Sequence, residues 1–163
     1  MFSREDTVLY AKKWWNKRNP SFYNFDAMGG DCTNFVSQCL YYGGISMNTK
    51  QYGWFYYSLN HRSPSWSGVD EFFNFATSNI SNSGVVAKLS NINDVEIADV
   101  VQLKLNGEEE FHHTLIITDI VTSGKTEVEL NDILIACHTY DAFMKPLGEY
   151  NISDIRFLKI MNN

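Results

Sequence analysis

Proline, cysteine and positive charge are all in short supply. Three prolines in 163 residues, with no glycine-rich or low-complexity tract beside them, leave no candidate linker, so length and composition fit a single domain. Thirteen Lys and Arg against nineteen Asp and Glu give a net charge of −6. With no basic surplus to displace counterions, binding held mainly by nucleic-acid phosphates is excluded. No apolar run approaches the ~20 residues that a bilayer-spanning helix needs. The start, Met1-Phe2-Ser3-Arg4-Glu5-Asp6, lacks the apolar core of a secretion signal, so the expected location is the cytoplasm as encoded. Three cysteines make an odd set without framework spacing, which reads as free thiols in a reducing compartment. No internal repeat is present.

Aromatic residues are plentiful at 15%. All four Trp (Trp14, Trp15, Trp54 and Trp66) fall in the first 66 residues. Bulky rings there serve either as core or as the lining of a groove for a peptide or sugar.

The hydrophobic pattern changes along the chain. A first helix is expected from about Arg4 to Lys17, with Ser3 as N-cap, Asp6 in the capping-box position and Val8, Ala11 and Trp15 as its apolar stripe. A second is expected from Cys32 to about Tyr42, between Asp31 as N-cap and the stop Gly43-Gly44. Residues 45–68 read as irregular, 69–77 as a third helix and 78–94 as loop. From Val100 onward the chain alternates like strands: 100–105, then the turn Asn106-Gly107, then 111–121, 126–130, 133–137 and 155–160. Helices first and an antiparallel meander afterwards mean α+β, with helices packed on a sheet of about five strands.

Chemistry concentrates in Gly29-Gly30-Asp31-Cys32-Thr33-Asn34-Phe35-Val36-Ser37-Gln38. A cysteine in the first turn of a helix meets free N–H groups and the positive end of the helix dipole, and both favour thiolate. Paired glycines let the backbone run close to a substrate, and the Cys32 N–H is placed to meet an oxyanion. The Asp31 charge opposes a thiolate, so its carboxylate is expected to turn towards backbone N–H groups. A buried, inert thiol is the plain alternative. Phe35, Val36 and Cys39 share the face of Cys32 and point into a core, and Cys39 and Cys137 read as core fillers.

A thiol nucleophile needs a base, usually His. His61 sits in the irregular aromatic region. In Phe111-His112-His113-Thr114-Leu115 neighbouring side chains take opposite faces, so His112 and His113 do not both face one cleft, and periodicity alone does not choose between them. His138, after the apolar run 133–137, and Asp141 compete for the role of orienting the base. No Cys or His pair has the close spacing of a structural zinc site and there is no H-E-x-x-H motif, so neither metal nor cofactor is expected.

The run Tyr10–Pro20, the stretch Gly29–Gln38, Gly43-Gly44, Gly53-Trp54, Ser63–Trp66, the double-His strand and His138-Thr139-x-Asp141 resemble the bacterial "putative amidase domain" family over nearly the whole chain. That family is similar to the papain-like group that includes NlpC-type and CHAP-type cell-wall hydrolases. The resemblance implies a papain-like single domain over 1–163, with Cys32 as nucleophile, His113 as general base and His138 as the third polar residue. It implies a cysteine amidase or peptidase that cleaves peptidoglycan, at the muramyl–L-alanine amide or within the stem peptide. The protein would then reach the wall by release from the cell or as part of a longer chain. Tyr23, Trp54 and Trp66 are expected to contact the substrate. One departure from the family is Ala98 before Asp99, where such domains usually carry glycine. A non-catalytic wall-binding module and a cytosolic amidase on a small substrate are the alternative readings.

Overall fold

The computed structural model describes residues 1–163 and is α+β. Helix α1 spans Arg4–Trp14 and starts as its sequence dictates. Ser3 Oγ accepts the Asp6 N–H at 3.1 Å, acids lie in the first turn and Lys12 and Lys13 in the last. It stops three residues before the expected Lys17 and buries Thr7, Tyr10 and Ala11 rather than Val8 and Trp15. The Trp14 carbonyl at its end points at a ring nitrogen of His138, 2.7 Å away. The same carbonyl also accepts the Lys17 N–H at 3.2 Å, an i+3 bond that tightens the chain as the helix ends.

Helix α2, Cys32–Tyr42, has the expected bounds, and residues 32–40 are all buried. It packs beside α1 through Gly43, where an added Cβ would stand 1.9 Å from Thr7 Oγ1. The Gly43 carbonyl accepts the Ser3 N–H at 2.7 Å. The segment expected to be irregular holds a small hairpin, β1 (Tyr56–Ser58) with β2 (His61–Arg62), and a one-turn helix α3 (Pro64–Ser67). Helix α4, Val69–Ser78, follows.

The main sheet has six antiparallel strands rather than five. They are β3 (Ala87–Ser90), β4 (Val100–Leu105), β5 (His113–Ile120), β6 (Ile133–Cys137), β7 (Ala142–Pro146) and β8 (Ile152–Ile160), in the order β3-β8-β4-β5-β6-β7. Both edge strands escaped the sequence pattern. β3 lies in a Ser/Asn-rich stretch, and β7 is a Met- and Lys-bearing edge with weak alternation. The expected strand at 126–130 does not form. There Glu129 and Asp132 cap each other's backbone and start a short 3-10 turn at Leu130.

Period-2 alternation splits the core in two. Val100, Ile116, Ala136 and Leu158 face the helices, together with Phe35, Leu40, Trp54 and Trp66. Val101, Leu103, Leu115, Ile117 and Ile135 face the other way, beneath the loops that carry Val95, Val128 and Leu147.

Ala98, the departure noted above, is fully buried at φ +66°. Its N–H bonds the Ile117 carbonyl at 2.8 Å, and Asp99 beside it accepts from Arg4 and from the Ile160 N–H. The turn is therefore fixed, and a Cβ in the left-handed region costs about 1 kcal/mol. Ala98→Gly is expected to raise Tm by roughly 2–4 °C in thermal unfolding, offset in part by the looser unfolded chain. A fall in Tm would show that the methyl contact outweighs the strain.

Candidate functional site

Two glycines bring the chain to the start of α2. Gly29 and Gly30 both take left-handed φ, +92° and +114°. A Cβ on Gly29 would meet nothing within 4 Å and one on Gly30 only Thr139, at 3.6 Å. Their requirement is backbone conformation rather than close packing.

Asp31 is the N-cap by position, but its carboxylate makes no capping bond. It turns inward instead. Oδ1 accepts the Phe25 N–H and the Asn34 amide, each at 2.9 Å, while Oδ2 lies 2.6 Å from His138 Nδ1 and 3.5 Å from Arg18 Nε. The consequence falls on the helix: the Cys32 N–H is bonded to no acceptor in the free protein.

Cys32 Sγ lies 3.7 Å from the His112 carbonyl and 3.9 Å from Thr33 Oγ1. Burial pushes the thiol above its usual range, and the N–H groups of Thr114 and Thr33 only partly oppose this. Desolvation therefore works against the thiolate that a helix start favours. Cys32 as a residue is nonetheless 8% exposed. Cys32 lines a cavity of about 490 Å³ that also takes in Leu105, Glu108, His113, Cys137 and Lys145.

The strand-borne histidines separate as alternation requires. His113, the first residue of β5, lines this cavity, and His112 is exposed and does not. His113 pairs with neither expected partner. Its Nε2 stands 2.8 Å from Glu108 Oε1, and the other oxygen of Glu108 accepts the Leu105 N–H at 2.8 Å. Although partial burial works the other way, the Leu105 N–H and His113 hold the Glu108 carboxyl below its ordinary range. Cys32 and His113 share the cavity wall without a hydrogen bond between sulfur and ring.

His138 does not orient His113. It is 1% exposed, its ring is stacked on Phe35 with centroids 3.8 Å apart, and its second nitrogen faces the Trp14 carbonyl. The Asp31 carboxylate and the Trp14 carbonyl thus hold the ring from both of its nitrogens. Asp141 is also engaged elsewhere, held by two nitrogens of Arg18 at 2.8 and 3.0 Å. The carboxylate that does meet His113, and that the sequence reading missed, is Glu108. Its signal was the acid run Glu108-Glu109-Glu110 in the hairpin loop just before the double His.

The aromatic groove expected of Trp54 and Trp66 is absent. Both are fully buried, with their indole N–H groups given to Ser37 Oγ and Asn34 Oδ1. Tyr23 is 38% exposed but stands outside the lining of this cavity, against Phe25. Cys39 is sealed in the core, whereas Cys137 is a second thiol on the cavity wall. No group of three or more His, Cys, Asp or Glu side chains is gathered as metal ligands.

A family model described as "Putative amidase domain" matches residues 1–160. The chain is also 33% identical over 148 residues to the uncharacterized protein YhbB of Bacillus subtilis (strain 168), an alignment that covers 88% of this chain. The chain spans 43% of the length of that relative. No solved structure matches it. With the match running almost from end to end, the chain belongs to this amidase-domain family.

Proposed function

We propose that the protein is a cysteine-dependent amide hydrolase that acts through Cys32 and His113, with Glu108 holding the imidazole. The observation that carries this reading is a thiol at an uncapped helix start, on the same cavity as a His–carboxylate pair. The family's description points to amidase chemistry in general. A helix-borne sulfur on one cavity with a sheet-borne imidazole supports a papain-like reading, with a carboxylate as third member.

In this mechanism a neutral thiol waits in the free enzyme. Once an amide fills the cavity, His113 takes the proton through the nitrogen that Glu108 leaves free, while the sulfur bonds to the carbonyl carbon. The unbonded Cys32 N–H receives the oxyanion. Collapse breaks the C–N bond as the His113 imidazolium gives its proton to the departing amine. Water, deprotonated by the same imidazole, then cleaves the thioester and restores the thiol. Glu108 acts through His113 as a positioning residue. Glu108→Gln is expected to lower kcat by about 10²-fold or more at nearly unchanged KM and Tm. A variant with full kcat would remove Glu108 from the mechanism.

The substrate class we propose is a peptidoglycan amide, either the muramyl–L-alanine bond or one within the stem peptide. The test is incubation of the purified protein with isolated peptidoglycan, followed by mass analysis. Free N-terminal alanine with intact glycan would identify an amidase, and a new amino group inside the stem an endopeptidase. Hydrolysis of small acyl amides with untouched peptidoglycan would move the activity to small substrates. No cleavage of either would overturn the hydrolase reading.

A further inference from the structure

One cation in the cavity has no counter-charge. Glu108 is paired with His113 and His138 with Asp31, but no carboxylate lies within ion-pair distance of Lys145. Lys145 stands on β7, opposite Ile135 of β6, and its Nζ sits 4.1 Å above the ring of Tyr150, itself part of the cavity wall. Lys145 is half-buried, and an ionic partner there counts for more than on open surface. In a chain of net charge −6, an unpaired lysine held beside a thiol is a local reversal of sign.

We infer that Lys145 is a carboxylate-recognition residue, so that the favoured substrate carries a free carboxylate a few bonds from the scissile amide. This deepens the hydrolase reading and names the chemistry its substrate presents. The ring of Tyr150 holds the ammonium from one side, and both residues line the cavity. Cys137, on the same wall, feels this ammonium: burial drives its thiol up to about 11, and Lys145 is among the groups that oppose the rise.

The test separates anion recognition from hydrolysis. The same thiolate attacks iodoacetate and iodoacetamide and expels iodide from each, so the ratio of the two rates cancels the ionised fraction. Alkylation at a fixed pH is followed by peptide mapping, so that Cys32 and Cys137 are read apart. The iodoacetate-to-iodoacetamide ratio at Cys32 is expected to exceed that of N-acetylcysteinamide by about tenfold. Lys145→Gln should return the ratio to the reference, and Lys145→Arg should keep it high. An unchanged ratio in Lys145→Gln, or a wild-type ratio equal to the reference, overturns the inference.

A second arm compares amide substrates that differ only as carboxylate or carboxamide. Wild type should favour the carboxylate by about tenfold in kcat/KM, and Lys145→Gln should cut both alike. A Lys145-dependent alkylation ratio in a protein that cleaves neither substrate would uphold the anion site and overturn the hydrolase reading instead.

Discussion

Cys32→Ala is expected to abolish amide hydrolysis, by at least ~10³-fold, with the folded state almost untouched. The size of the loss follows from the chemistry. Without sulfur no acyl-enzyme forms, and what remains is the oxyanion donor and simple binding. The small structural effect follows from position. The sulfur borders a cavity, and its nearest polar contacts are long, at 3.7 and 3.9 Å. Removing it should cost ~1 kcal/mol or less, a Tm change of about 2–4 °C at most. Hydrolysis rates and thermal unfolding measured on one preparation decide the matter. Retained hydrolysis would mean that another group attacks, and Cys137 on the same wall would be the next candidate.

Asp31→Ala is expected to do the opposite: a large loss of stability. Its carboxylate is fully buried and serves His138, the Phe25 N–H, the Asn34 amide and Arg18 at once. Truncation leaves the buried His138 ring without its partner at Nδ1 and two donors without an acceptor. A broken buried pair of this kind costs about 3–5 kcal/mol, or roughly 6–20 °C in Tm for a chain of this length. His138→Ala should fall in the same range, because it strands Asp31 and empties the space against Phe35. Thermal unfolding of both variants distinguishes this from a catalytic role. If His138→Ala kept its Tm and lost only kcat, the histidine would belong to the chemistry after all.

Local signals in the sequence located the second helix to the residue, because cap, apolar spacing and stop all agreed between Asp31 and Gly43. Alternation likewise located β4 and β6. Strands β3 and β7 were invisible because edge strands bury little and need no clean period. The site was legible where chemistry is local and illegible where it depends on packing. Cys32 could be named from a helix start, whereas alternation left His112 and His113 open and only the family resemblance chose His113. That His138 turns into the core could not, since its partners are the Trp14 carbonyl and Asp31, far off in the chain. Trp54 and Trp66 show the same limit. A ring suited to a groove and a ring suited to a core read alike until the fold decides which is covered.

Consider finally how the crevice wall is recruited. Position 138 is joined to position 14 across 124 residues and to position 31 across 107. Sulfur, imidazole and lysine come from three separate stretches of the polypeptide. Bringing such distant stretches together is a late and slow event in folding, because chain entropy must first be given up. Turnover should therefore appear only after the last strand docks, so regain of activity during refolding would time completion of the native topology. Nicked halves kept apart should stay inert however well each retains its helices or hairpins.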